Sequence, residues 1–66
     1  MTERVPAHAL QMGDVVGSGE TVAGTYVGAR TPPRKIHVIL DGPRGRRTAL
    51  WGKHTMIGVR REDNRV

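Results

Sequence analysis

Glycine and proline interrupt this chain so often that little room is left for a long helix. Nine glycines and four prolines are spread through 66 residues. Glycine loses the most backbone entropy when it is ordered in a helix, and proline removes a donor and clashes with the preceding turn. The stretches between the breaks are rich in Val, Ile, Thr, Trp and Tyr, whose shapes suit a pleated, half-buried surface. The expected fold is therefore all-β, with no long helix.

Taken in order, residues 5–10 form an irregular lead-in in which Pro6 keeps Val5 extended. Gly13 supplies a turn with positive φ ahead of a first strand at Val15-Val16. Gly17-Ser18-Gly19 is a loop. Residues 21–27 form a second strand, with Gly24 marking a bulge or bend. Residues 28–34, with Pro32-Pro33, form an irregular loop, and 35–41 is the best strand in the chain. Residues 42–45 form a hairpin loop, 46–51 the fourth strand, 52–55 a turn and 56–60 the fifth strand. The whole chain, 1–66, reads as one domain with frayed ends at about 1–4 and 62–66.

A domain of this size buries only about 60% of the surface its unfolded chain exposes. Chains this short usually need a disulfide, a metal or a partner subunit. There is no cysteine, so a disulfide and a thiolate metal site are excluded, and a second copy of the chain becomes a candidate partner. Met1-Thr2-Glu3-Arg4 leads into no apolar segment of a secretory signal. Val38-Ile39-Leu40 is far too short to span a bilayer. A cytoplasmic protein with no membrane partner is expected.

Register follows from the hairpin at 42–45. Pairing Val38 with Leu50 sets Leu40 against Thr48 and Ile36 against Gly52. Pairing Leu50 with Ile57 then sets Thr48 against Val59 on the same face, which is assigned to the core. By alternation, the opposite face carries His37, Ile39 and Asp41, then Arg47, Ala49 and Trp51, then Met56, Gly58 and Arg60. That face would hold an apolar patch of Ile39, Trp51 and Met56 beside His37, with Arg47 and Arg60 at its other end.

Leu10, Gly13, Asp14 and Val16 make an L-x-x-G-D-x-V opening. Four short strands follow, closing on Ile57-Gly58-Val59-Arg60. This pattern resembles SH3-like small barrels, including KOW-type and intein-like ones, and the short basic proteins of actinobacteria and their phages. The resemblance implies a single small five-stranded antiparallel SH3-like barrel. It implies no particular partner, and without a nucleophilic cysteine it implies no splicing chemistry.

Chemistry-bearing patterns are sparse. His8, His37 and His54 lack the spacing of a familiar metal site, so no metal is expected. Ser18 lies between glycines with no histidine linked to it by a local motif, so no catalytic triad is expected. Gly17-Ser18-Gly19-Glu20 lacks the lysine and following helix of a phosphate loop. No catalytic residue and no cofactor is assigned, and the chain reads as a binding module, not an enzyme.

The net charge is +5, and nine of the eleven basic residues are arginine. Arginine's planar fork matches phosphate, and a positive field speeds encounter with polyanions. Arg30, Arg34, Lys35, Lys53 and His54 fall near two turns at one end, and Arg44, Arg46 and Arg47 at the other. With Trp51 and Arg60, the arginines and lysines of these two groups are the candidate contacts for nucleic acid or an acidic protein surface. The second candidate surface, for a protein partner, is His37, Ile39, Trp51 and Met56.

Overall fold

The computed structural model describes residues 2–61. Six strands form one antiparallel sheet: β1 (Thr2–Pro6), β2 (Val15–Val16), β3 (Thr21–Tyr26), β4 (Lys35–Gly42), β5 (Gly45–Gly52) and β6 (Met56–Arg60). Their order across the sheet is β1-β6-β2-β3-β4-β5. The only helical segment among the described residues is a single 3-10 turn at Ala7–Ala9. The all-β expectation holds, with six strands in place of five. The added strand is β1, which pairs with β6 from Thr2↔Arg60 to Pro6↔Met56. Residues 2–4, expected to fray, therefore lie in the sheet. Pro6 is tolerated because β1 is an edge strand. The expected fraying of 62–66 lies outside the described residues.

Each element of the L-x-x-G-D-x-V opening has a structural task. Leu10 and Val16 are buried in the core. Gly13 adopts φ +99°, which favours glycine. Its N–H donates to Val22 O (2.8 Å), and Val22 N donates to Asp14 O (2.7 Å), so the turn is stitched to β3. The buried Asp14 carboxylate accepts the Gln11 N–H (2.9 Å) and two bonds from Arg61, from Nε to Oδ1 (2.9 Å) and from Nη2 to Oδ2 (3.1 Å). Arg61 also donates to Ala9 O (3.0 Å) and pairs with Glu3 (2.9 Å). One guanidinium thus ties the end of β6 to the turn and to β1.

The core is built from Ala7, Leu10, Val16, Val22, Ile36, Val38, Leu40, Ala49 and Val59, with Val5, Trp51 and Ile57 packed against it. Ile36, Val38 and Leu40 point inward as the alternation of β4 predicts. The β3–β4 ladder shifts register between Val22 and Gly24, where the sequence places a bulge.

The register of β5 differs from expectation by one residue. Val38 faces Ala49, not Leu50; Leu40 faces Arg47, not Thr48; Ile36 faces Trp51, not Gly52. The cause is Gly45. At φ +111° it joins the ladder opposite Gly42, leaving Pro43-Arg44 as a two-residue loop. Moving one residue from loop to ladder turns every following side chain to the other face. Ala49 and Trp51 therefore face the core, while Thr48 and Leu50 face outward. β6 pairs with β1 and β2, not β5, so the expected Leu50–Ile57 and Thr48–Val59 pairs do not form.

Candidate functional site

The β5 register dissolves two expected constellations. Ile39, Trp51 and Met56 do not share a face. Ile39 lies on the outer side of β4, Trp51 packs against the core, and Met56 pairs with Pro6 on β6. Nor do Arg47, Trp51 and Arg60 form a platform. Arg60 sits opposite Thr2 and Val15, in a different part of the sheet from β5.

The outer face instead carries a cross-strand row of Tyr26, His37 and Leu50, on β3, β4 and β5. The Tyr26 and His37 rings stack, with centroids 4.6 Å apart and planes 11° from parallel. Tyr26 and Leu50 are exposed and His37 is half-buried. β2 reaches β3 only at Thr21, so no strand flanks β3 on that side at Tyr26. Gly28 lies close by: a side chain there would meet Tyr26 Cε2 at 4.0 Å. Lys35 is on the same outer face of β4, two residues before His37.

Lys35 belongs to a basic end where two connections meet. Lys53 N donates to Arg34 O (2.9 Å), and Lys35 pairs with Gly52. His8 N donates to Lys53 O (3.1 Å), and the His8 and His54 rings meet edge-on at 5.4 Å. Arg30 sits in the same β3–β4 connection, which is braced by Gly28 N donating to Thr31 Oγ1 (2.8 Å). None of Arg30, Arg34, Lys35 or Lys53 has a carboxylate partner among the described residues. Backbone bonds bring Arg34, Lys35 and Lys53 together at this end, and Arg30 lies on the connection that leads into it.

The hairpin end is different. Arg46 forks onto Asp41, with Nε to Oδ1 at 2.6 Å and Nη2 to Oδ2 at 3.0 Å. Arg47 forks onto Glu20 (2.8 and 2.7 Å), which also accepts the Ser18 hydroxyl at 2.7 Å. These bonds pull the Glu20 carboxyl down to about 2, Arg47 acting most strongly and Ser18 next. Arg46 likewise holds Asp41 below its ordinary range. A groove of about 420 Å³ opens here, lined by Ser18, Glu20, Pro43, Arg44, Arg46 and Arg47 among others. Arg46 and Arg47 are neutralised locally, leaving Arg44 without a carboxylate partner among the described residues.

At Asp14, burial pushes the carboxyl up, but the Arg61 bonds and the Gln11 N–H outweigh it and hold it below the usual range. This pair is structural: Asp14 is buried, and Arg61 is shared among Asp14, Ala9 O and Glu3. No group of three or more potential metal ligands occurs among the described residues. No helix among them is long and apolar enough to cross a membrane. Comparison with protein-family models, curated proteins and solved structures finds no match.

Tyr26 and His8 were not among the expected contact residues. Their partners, His37 and His54, lie 11 and 46 residues away along the chain, and only strand pairing and the lead-in's docking bring them together. The visible signal for Tyr26 was its place at the end of a strand next to a basic loop.

Proposed function

We propose that this chain is a non-catalytic nucleic-acid-binding module that works in the cytoplasm. Its contact surface is the basic end together with the adjoining outer face of β3 and β4. What supports the reading most is the gathering of Arg30, Arg34, Lys35 and Lys53, unneutralised by described carboxylates, beside the Tyr26–His37 ring stack. Cations that hold phosphate next to an aromatic face that stacks a base are the two ingredients of single-strand binding. Trp51 contributes by holding the β5 end of this surface against the core. Arg46 and Arg47 contribute less, because their charge is already satisfied. We further read the fold as an SH3-like small barrel carrying β1 as an added strand, supported by the antiparallel pairing of all its strands and the bulge in β3.

The test is a fluorescence anisotropy titration of labelled single- and double-stranded oligonucleotides at two salt concentrations. Phosphate-dominated binding weakens steeply with salt, with a logarithmic slope of about −0.7 per phosphate contact for single strands. The triple variant Arg34→Ala/Lys35→Ala/Lys53→Ala flattens that slope, and Arg46→Ala leaves it nearly unchanged. Absence of binding at low salt refutes the proposal.

A further inference from the structure

The two edges of the sheet are unequally protected. β1 is five residues long, carries Glu3 and Arg4, and ends in Pro6, which has no N–H to offer. Short length, charge and proline are the usual guards against edge pairing. β5 is eight residues long and lies at the other edge, paired only with β4. Its segment Thr48-Ala49-Leu50-Trp51-Gly52 has no charge and no proline. Thr48 and Leu50 are exposed on its outer face. A long edge with these properties is a template for another strand.

We propose that β5 pairs antiparallel with β5 of a second copy, about a two-fold axis at Ala49. Two-fold pairing requires a self-complementary strand, and the β5 sequence meets that requirement in this register. Thr48 faces the partner's Leu50, Arg47 faces the partner's Trp51, and Arg46 faces the partner's Gly52. No arginine opposes another in this register. The charges of Arg46 and Arg47 are already offset by Asp41 and Glu20, which lowers the repulsion between copies of a basic chain. An axis midway between residues would join the core side of one copy to the outer side of the other. An axis at Arg47 would set that arginine against itself. A 66-residue chain without a disulfide also gains from a partner subunit. This pairing does not depend on nucleic-acid binding, because it is made by the β5 backbone and uses none of the side chains of Arg30, Arg34, Lys35 or Lys53.

The test is sedimentation equilibrium over a concentration series at low salt, on wild type, Thr48→Lys, Leu50→Glu and the double variant. Wild type dimerises. Each single variant raises the dimer Kd by about tenfold, because the symmetry counts each cross-strand pair twice. The double variant sets opposite charges across the axis at both copies and returns the Kd to near the wild-type value. Thermal melts of the dilute variants, in which both substituted positions are exposed, confirm that the monomers remain folded. A wild type that stays monomeric up to about 1 mM overturns the proposal. A dimer strengthened by Leu50→Glu alone, or not restored in the double variant, overturns the register and with it the proposal.

Discussion

Replacing Asp14 with alanine tests whether the opening turn is held by its buried carboxylate. The substitution removes two bonds from Arg61 and one from the Gln11 N–H. A hydrogen bond to a charged group is worth about 1.5–3 kcal/mol, and a buried group left without its partner adds its own cost. These bonds act as one unit and do not simply add. Arg61 also keeps Glu3 and Ala9 O as acceptors, which limits the loss. The expected destabilisation is about 2–3 kcal/mol. A chain of this length has a total stability of only about 3–10 kcal/mol, so the variant sits near the edge of folding. Each 1 kcal/mol moves Tm by about 4–8 °C in a domain this small, so the fall is about 10–20 °C. Urea denaturation followed by Trp51 fluorescence reads it, since Trp51 packs against the core. Asp14→Asn keeps one oxygen for the Gln11 N–H but loses the charge and one of the two acceptors that Arg61 uses, so it should recover only part of the loss. A Tm change below about 4 °C for Asp14→Ala would show that Arg61 and the turn are not coupled as described.

The remaining predictions concern acid, the core and the hairpin. The folded-state pKa of Glu20 is depressed from 4.5 to about 2, and that of Asp14 is also lowered. Their contributions are fully present above the unfolded-state pKa values and are lost as pH falls through the folded ones. A urea midpoint that stays flat from pH 5 to pH 3 would contradict this, and Arg47→Ala should shrink the Glu20 share of the decline. Leu40→Ala, at a fully buried position, should cost about 2–5 kcal/mol. Leu50→Ala on the outer face should change stability by less than about 0.5 kcal/mol under monomeric conditions. Equal losses at the two positions would point back to the rejected register of β5. Gly45→Ala places a side chain at φ +111° and should cost about 1–2 kcal/mol by denaturant titration. Tyr26→Ala should weaken single-strand binding by about tenfold through loss of base stacking, while leaving double-strand binding little changed.

Local chemistry was enough to establish several features. Frequent glycine and proline excluded a long helix, alternation in Ile36, Val38 and Leu40 identified the core face of β4, and Gly24 marked the bulge. The basic residues at the two turns were also correctly grouped, because turn positions at the ends of paired strands share an end whatever the register. These properties depend on a residue and its near neighbours along the chain.

Other features depended on partners distant in sequence. Whether Gly45 belongs to the loop or the ladder is a difference of one residue, and it alone decides whether Trp51 or Leu50 faces the core. Thr2–Pro6 has no strand signal of its own and is a strand because β6 offers it an edge. Arg61 looks like one more surface cation until the fold places Asp14 against it. The charges of Arg46 and Arg47 count toward the net charge read from composition, yet Asp41 and Glu20 satisfy them in the folded chain. The sequence by itself thus determined an all-β chain with a surplus of positive charge. Only the tertiary structure decided which residues face inward and which cations remain unsatisfied, because both follow from pairings between segments far apart in the chain.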